Sequence, residues 1–314
     1  MAAPVLAQGS AYPVTITDQA GREITIEQEP ESLISAYYIS TSLIMALGLT
    51  DRLAGIETGA ELRPIYGLSA PALLELPNVG SLKEFDLEAC AALEPDLVIL
   101  PMKLKESAAI LEELGFTVLI INPESQELLK EAISIVAKAT NTEEKAAELL
   151  GFINTQEQKL EEQNRDAEAP RVYLSGNSDF LSTAGNGMYQ NELITLAGGA
   201  NVAGEIEDTY WVESSYEQIL SWDPEYIIMA SAAKYTVEDV LADENLAVCT
   251  AVQNGNVYHI PSDLEAWDSP VPAGILGAVW MSGILHPEQN AEEDSAAVLN
   301  EFYKTFYGVE TNEN

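Results

Sequence analysis

Two glutamates occupy the same place in two similar segments, one in each half of the chain. Glu88 lies in "DLEACAALEPDLVIL" and Glu217 in "SSYEQILSWDPEYIIM", and each is followed seven positions later by a proline, Pro95 or Pro224. Each proline is followed by an acid and then by an apolar run rich in β-forming residues. A matched pair of exposed carboxylates could dock a partner that carries arginines, because guanidinium and carboxylate groups pair through charge-assisted hydrogen bonds.

Ordinary helix formation offers another explanation for the two glutamates. Glu88 follows a plausible N-cap at Asp86, and Glu217 follows one at Ser215, which with Gln218 also fits a capping box. An acid in the first helical turn gains about 0.3–1 kcal/mol from the helix dipole. The proline then ends the helix before the strand. This explanation accounts for an acid in each turn, but it does not require glutamate at the same offset twice.

Strand and helix patterns alternate in both halves of the chain, which predicts parallel sheets covered on both faces by helices. A breaker-poor segment from 142 to 164 predicts one long helix between the halves. We therefore expect an α/β protein with two Rossmann-like lobes, mainly parallel sheets and one long connecting α-helix. The predicted divisions are a disordered tail at 1–10, an N-terminal lobe at 11–140, the connecting helix at 141–168 and a C-terminal lobe at 169–314.

The composition excludes several classes of partner. The formal net charge is −37, from 51 acids against 14 lysines and arginines, so nucleic acid and anionic lipid surfaces are repelled. No apolar run is long enough to span a bilayer. The start "MAAPVLAQGSAYP" lacks the basic region of a signal peptide, so the sequence is that of a cytoplasmic protein or of one whose signal is absent. We expect Cys90 and Cys249 to be buried free thiols in different lobes.

The residues that follow predicted strands are the candidates for ligand binding, because ligands of parallel α/β sheets bind beyond the carboxyl ends of the strands. Two lobes that face each other would place these residues around one cleft. Aromatic side chains with a few cations suit a bulky, partly apolar ligand with polar edges, although any single aromatic is also explained by packing. The candidates are Tyr37, Tyr38, Arg63, Tyr66, Met102, Lys103, Met188, Tyr189, Tyr210, Trp211, Lys234 and Trp267.

Motifs for catalysis and cofactors are missing from the sequence. It contains no complete dinucleotide-binding glycine motif after a strand, no phosphate-binding loop and no nucleophile elbow. His259 and His286 stand apart, and no cluster has zinc-ligand spacing. We therefore predict no cofactor, no metal site of the protein's own and no enzymatic activity. A two-lobed enzyme that handles a metal chelate or a sugar-like substrate is the alternative.

The chain resembles the solute-binding proteins of ABC transporters that deliver ferric siderophores, haem and cobalamin. The resemblance covers the chain from Tyr12 onward and depends on the order and spacing of several phrases. These are "VGSLKEFDLEACAALEPDLVIL", "MYQNELITLAGGANV", "YWVESSYEQILSWDPEYII", "NGNVYHIP" and "YKTFYG". The resemblance implies two α/β lobes joined by one long helix, and it implies that Glu88 and Glu217 contact arginines of the membrane permease. It also implies export, usually with a lipid anchor.

From the resemblance we expect a monomeric, extracytoplasmic protein that delivers a metal chelate to an ABC permease. A ferric siderophore is the first expectation, with corrinoid, haem and oxyanion as alternatives. The family often places an arginine after "WDSP", whereas "WDSPVPAG" from Trp267 has none. This absence favours a neutral or cationic hydroxamate over an anionic catecholate. The sequence leaves open whether any residue ligates a metal directly.

Overall fold

The computed structural model describes residues 12–207, 210–289 and 292–311, with side chains in the last segment from 295 onward. The tail predicted at 1–10 lies outside these residues. By their internal contacts the residues form two compact units. Among the described residues, unit 1 comprises 12–58, Glu75–Asn122 and Glu131–Ala147, and unit 2 comprises Gly59–Leu74, Pro123–Lys130 and the described part of 148–311. Two segments predicted for the N-terminal lobe thus cluster with unit 2, and the predicted domain boundaries remain a prediction.

Unit 1 contains a β-hairpin and a four-stranded parallel sheet. The hairpin pairs β1 (Val14–Thr17) with β2 (Glu23–Ile26). The sheet has the order β4-β3-β5-β6, and all neighbouring strands are parallel. Its strands are β3 (Leu33–Ser35), β4 (Leu53–Gly55), β5 (Leu97–Pro101) and β6 (Val118–Ile121).

The helices of the first half have these bounds: α1 (Tyr38–Ala46), α2 (Pro64–Ser69), α3 (Leu87–Ala92), α4 (Lys105–Glu113), α5 (Gln126–Thr140) and α6 (Glu143–Asn164). Helix α2 belongs to unit 2, whereas α5 and α6 each contribute residues to both units. Helix α6 has 22 residues and corresponds to the long helix predicted at 142–164.

Unit 2 contains a mixed six-stranded sheet of order β10-β8-β7-β11-β12, with β9 beside β7. Its strands are β7 (Arg171–Ser175), β8 (Ser182–Ala184), β9 (Ala200–Asn201), β10 (Trp211–Glu213), β11 (Tyr226–Met229) and β12 (Val257–His259). Strands β9, β7, β11 and β12 pair in parallel. Strand β8 runs antiparallel to both of its neighbours, β7 and β10. Its remaining helices are α7 (Tyr189–Leu196), α8 (Tyr216–Trp222), α9 (Val237–Leu241), α10 (Thr250–Asn254), α11 (Ile275–Leu285) and α12 (Glu292–Tyr307).

Continuous apolar strands build the core of each unit. The side chains of β5 and β6 are buried along their whole length, as expected for parallel strands covered on both faces. Cys90 packs in the core of unit 1 and Cys249 in the core of unit 2, and both are free thiols. Burial raises the pKa of Cys90 to about 11. The predicted fold class, α/β with a mainly parallel sheet in each of two units and one long helix, is confirmed.

The two similar segments fold into the same local structure. Strand β5 begins two residues after Pro95 and β11 begins two residues after Pro224. The residue before each proline, Glu94 or Asp223, has a left-handed backbone, with φ of 47° and 42°. These residues end α3 and α8 in the position that glycine usually takes.

The acid after each proline fixes the start of the neighbouring parallel strand. Asp96 Oδ2 accepts hydrogen bonds from the backbone N–H groups of Glu31 and Ser32, both at 2.9 Å, directly before β3. Glu225 Oε2 accepts a bond of 2.9 Å from the N–H of Arg171, the first residue of β7. We call these two contacts the carboxylate clamps. They explain why an acid follows the proline in both copies.

No helix in the described part of the chain combines the length and the apolar character needed to cross a membrane.

Gly80 allows the tight turn that leads into α3, and its replacement tests this part of the fold. It has φ of 91°, and a Cβ there would lie 2.1 Å from Glu84 O and 2.7 Å from Asp86 N. We expect Gly80→Ala to lower the free energy of unfolding by clearly more than the ~1 kcal/mol typical of a positive φ. Gly21→Ala is the matched control, because Gly21 has φ of 75° with nothing within 4 Å. Equal losses in chemical denaturation of the two variants would contradict this account.

Candidate functional site

Glu88 and Glu217 occupy the same position at the starts of equivalent helices. Asp86 caps α3, since its Oδ1 accepts a bond of 2.9 Å from Ala89 N. Ser215 caps α8, since its Oγ accepts a bond of 3.2 Å from Gln218 N. Each glutamate is therefore the second residue of its helix, and both side chains are exposed. Both N-caps were predicted from the sequence.

The local electrostatics of Glu217 favour its charged form. Its pKa is lowered, first by a hydrogen bond from its own backbone N–H and then by one from the Ser215 hydroxyl. Among the described residues, no hydrogen bond or ion pair involves the Glu88 carboxylate. Each glutamate thus presents a carboxylate to solvent from the first turn of a short helix.

In unit 1, predicted ligand residues follow β3 and β5. Tyr37 and Tyr38 come after β3, are half-buried, and contact each other edge to face, with ring centroids 4.8 Å apart at 75°. Met102 and Lys103 follow β5; Met102 is half-buried and Lys103 is exposed. Because parallel strands end at the same edge of a sheet, both pairs lie along that edge of unit 1.

A chain of buried hydroxyl groups lies behind Tyr37, and the sequence analysis did not predict it. Thr41 Oγ1 is 2.6 Å from Glu57 Oε2 and 2.7 Å from Ser35 Oγ. Ser35 Oγ is 2.6 Å from Ser40 Oγ, which donates to the Tyr37 carbonyl at 2.7 Å. We call Glu57, Thr41, Ser35 and Ser40 the hydroxyl chain. All four side chains are buried, and nothing in the sequence marks Glu57 among the 51 acids.

In unit 2, four candidates have solvent access. Lys234 is exposed, and its backbone N–H bonds to Asn177 O at 3.1 Å. Trp211 begins β10 and is half-buried, and Met188 is the half-buried N-cap of α7. Tyr210 has 67% of its surface exposed. These side chains are available to a ligand or to another protein.

Other candidates of unit 2 are held in packing contacts. Trp267 is 8% exposed, and its indole N–H donates to Tyr303 Oη at 3.0 Å. Tyr189 is 3% exposed, and its hydroxyl accepts a bond of 3.0 Å from Gln126 Nε2. Tyr66 is fully buried, and Arg63, directly before α2, is half-buried. Packing accounts for the positions of Trp267, Tyr189 and Tyr66, and their place in a ligand site remains a prediction.

Asp268 anchors the loop that carries Trp267. Its carboxylate accepts hydrogen bonds from the Ser231 hydroxyl and from the Ser231 backbone N–H, the latter at 3.0 Å. Burial raises the pKa of Asp268, although the bonds from Ser231 act in the opposite direction. The acid of "WDSP" thus fastens its loop to the segment after β11, a role that the sequence analysis did not assign.

Within the described ranges, no group of three or more His, Cys, Asp or Glu side chains is arranged to hold a metal ion. The candidate side chains with solvent access lie near strand ends in each unit.

The fold is that of the two-lobed solute-binding proteins. A periplasmic solute binding protein from Veillonella parvula superposes with a TM-score of 0.84, at 26% identity over 96% of this chain and 94% of that one. The family model described as periplasmic binding protein matches residues 33–264, and the chain therefore belongs to this family.

Named relatives match most of this chain. The molybdate-binding protein MolA of Haemophilus influenzae is 24% identical over 93% of this chain and 90% of its own. The structure of MolA bound to molybdate, the periplasmic binding protein of an ABC transporter, has a TM-score of 0.83 at 23% identity and covers 96% of this chain and 100% of that one. A cobalamin-binding protein of Halobacterium salinarum is 24% identical over 94% of this chain and 75% of its own. These names describe binding proteins and not enzymes, which confirms the prediction of a non-enzymatic chain.

The hydrogen bond from Ser215 to Glu217 gives a prediction for titration. We expect Ser215→Ala to raise the pKa of Glu217, because the carboxylate loses a donor. Since the folded-state pKa is lowered, the group stabilises the protein above its unfolded pKa, and the effect is lost as the pH falls through the folded pKa. Carboxyl-carbon NMR titration measures the change. Ser215→Thr keeps the hydroxyl and should leave the pKa in place; an equal rise in both variants would exclude the role of Ser215.

Proposed function

We propose that this chain is an extracytoplasmic solute-binding protein that captures a metal chelate and delivers it to an ABC importer. Glu88 and Glu217 are its contacts with the permease. A ferric siderophore of the neutral or cationic hydroxamate type is the proposed ligand. The native precursor is proposed to carry an export signal and a lipid anchor, and the mature protein is proposed to act as a monomer.

The paired glutamates carry this proposal. In both similar segments, every other shared residue has a task inside its own unit: the N-cap bonds to the first turn, and the acid after the proline forms a carboxylate clamp. The two glutamates at the second helical position are exposed and support no other element. Duplication of an exposed charge whose interactions stay within the first turn of its own helix favours a partner that presents two cations, and guanidinium groups match carboxylates best.

The scarcity of cations near the proposed ligand set favours a ligand without strong negative charge. Lys103 and Lys234 are exposed at the ends of equivalent strands, and Arg63 is half-buried. Against them stands a net charge of −37. The negative field of the protein would repel a highly anionic chelate at long range, whereas it does not repel a neutral or cationic complex. The half-buried pair Tyr37 and Tyr38 offers apolar faces for the body of such a ligand.

The relatives suggest a second candidate ligand class. One relative is named for molybdate and another for cobalamin. A corrinoid shares with a siderophore a large, partly apolar body and therefore uses the same kind of aromatic surface. Molybdate is small and anionic and would depend on the cations and hydroxyl groups instead.

Charge removal at both glutamates tests the docking assignment. We expect Glu88→Ala with Glu217→Ala to abolish uptake in cells while ligand affinity in the purified protein stays unchanged, because the carboxylates contact the permease and not the ligand. Uptake of a radiolabelled ferric hydroxamate is the measurement.

The matched control removes two other exposed acids. Glu106 of α4 and Glu238 of α9 are also second residues of their helices and are exposed. Glu106→Ala with Glu238→Ala changes the net charge equally and should leave uptake intact. If uptake survives in the double variant at Glu88 and Glu217, or is lost in both double variants, the docking assignment is wrong.

A calorimetric panel tests the ligand class. The solutes are a ferric trihydroxamate, a ferric tricatecholate, haem, cyanocobalamin and molybdate. We expect the trihydroxamate to bind most tightly and the tricatecholate at least about tenfold more weakly, a difference of about 1.4 kcal/mol. Lys103→Gln with Lys234→Gln should affect the catecholate more than the hydroxamate. Tight binding of molybdate or cyanocobalamin alone would overturn the siderophore assignment.

A further inference from the structure

The hydroxyl chain behind Tyr37 contains more close oxygen pairs than its hydroxyl groups have protons. The four pairs are Glu57–Thr41 at 2.6 Å, Thr41–Ser35 at 2.7 Å, Ser35–Ser40 at 2.6 Å, and Ser40 to the Tyr37 carbonyl at 2.7 Å. All four distances are those of O–H···O hydrogen bonds, each of which needs one proton. The three hydroxyl groups supply three protons, because each carries only one.

The Tyr37 carbonyl cannot relieve this shortage. It already accepts the backbone N–H of Thr41 at 3.0 Å and the Ser40 hydroxyl at 2.7 Å. These two bonds use both of its lone pairs. The hydroxyl groups of Ser35 and Thr41 are also within reach of this carbonyl, at 3.1 and 3.4 Å. A proton donated there would be lost to the four closer pairs, so these longer contacts do not relieve the shortage either.

An ionised Glu57 would leave one close pair without a proton. Thr41 would then donate to Glu57, and Ser35 could donate to Thr41 or to Ser40, but not to both. The remaining pair would place two oxygen lone pairs against each other at 2.6–2.7 Å in a buried site, where an unmade hydrogen bond costs about 1–3 kcal/mol.

A protonated Glu57 removes the conflict. Its O–H donates to Thr41, Thr41 donates to Ser35, Ser35 donates to Ser40, and Ser40 donates to the Tyr37 carbonyl. Every oxygen then has a donor in one continuous direction, and bonds aligned in this way strengthen one another. We propose that Glu57 is held as a neutral carboxylic acid that starts this relay and thereby positions the Tyr37–Tyr38 pair at the beginning of α1.

The relay connects three elements of unit 1. Ser35 ends β3, Ser40 and Thr41 lie in the first turn of α1, and Glu57 follows β4. The Tyr37 side chain does not itself cap α1, so the relay takes part in fixing this helix start. The relevance of the tyrosine pair to a ligand rests on the proposed function, whereas the protonation of Glu57 does not.

Infrared difference spectroscopy tests the protonation directly and needs no ligand. We expect the wild-type protein minus Glu57→Gln, both at neutral pH, to show the C=O band of a neutral carboxylic acid. The other carboxyl groups, including buried Asp268, cancel in the difference. Bands of an ionised carboxylate in its place would overturn the proposal.

NMR of protein labelled in its tyrosine rings tests the positioning. We expect Thr41→Val, which interrupts the relay, to shift the ring signals of Tyr37 and Tyr38. Thr41→Ser keeps the hydroxyl, and Glu57→Gln keeps a donor in its amide N–H; both should retain the wild-type signals. Unshifted rings in Thr41→Val, or equal shifts in all three folded variants, would contradict a positioning role. A negative calorimetric panel would instead count against the proposed function alone.

Discussion

The alignment of parallel strands at their amino-terminal ends helps to set where the candidate side chains that follow those strands lie, namely Tyr37, Tyr38, Met102, Lys103 and Lys234. In unit 1 Asp96 holds the backbone before β3, and in unit 2 Glu225 holds the first residue of β7. Since neighbouring strands run in the same direction, fixing where they begin also fixes where they end. The strand-end residues therefore owe their common edge to the two carboxylate clamps at the opposite end of the sheets.

The same contacts explain why one chain carries two similar segments. Proline ends each helix, a left-handed residue turns the chain, and the next acid binds the neighbouring strand. Folding thus accounts for the acid after each proline and for the N-cap before each helix. It does not account for Glu88 and Glu217, whose carboxylates are exposed. Once these structural tasks are assigned, the exposed glutamates remain as the part of the repeat on which the proposed docking depends.

The sequence predicted the fold because periodic apolar runs and breakers report local structure and burial together. "LVILP" and the long segment that forms α6 were identified for this reason. The antiparallel pairing of β8 was not predicted, nor was strand β10, because strand pairing depends on contacts distant in sequence. The short helix α2 was not predicted either. The assignment of 59–74 to unit 2 was also not predicted, because a short connecting segment carries no local signal for the unit that it joins.

The candidate site was predictable only to the level of strand ends. Position after a strand directed attention to Tyr37 and Lys103, whose place in a ligand site remains a prediction. It could not distinguish a side chain with solvent access from one such as Trp267, whose indole N–H donates to a tyrosine of α12. Nor could it reveal Glu57, because a lone acid in a chain with 51 acids has no distinguishing pattern. Only the distances show that this acid lies at the end of a hydroxyl chain with one proton too few. In a buried polar network every hydrogen-bonding group needs a partner. The proposed protonation of Glu57 and the proposed placement of the tyrosines are therefore linked, because one series of hydrogen bonds connects Glu57 to the Tyr37 carbonyl.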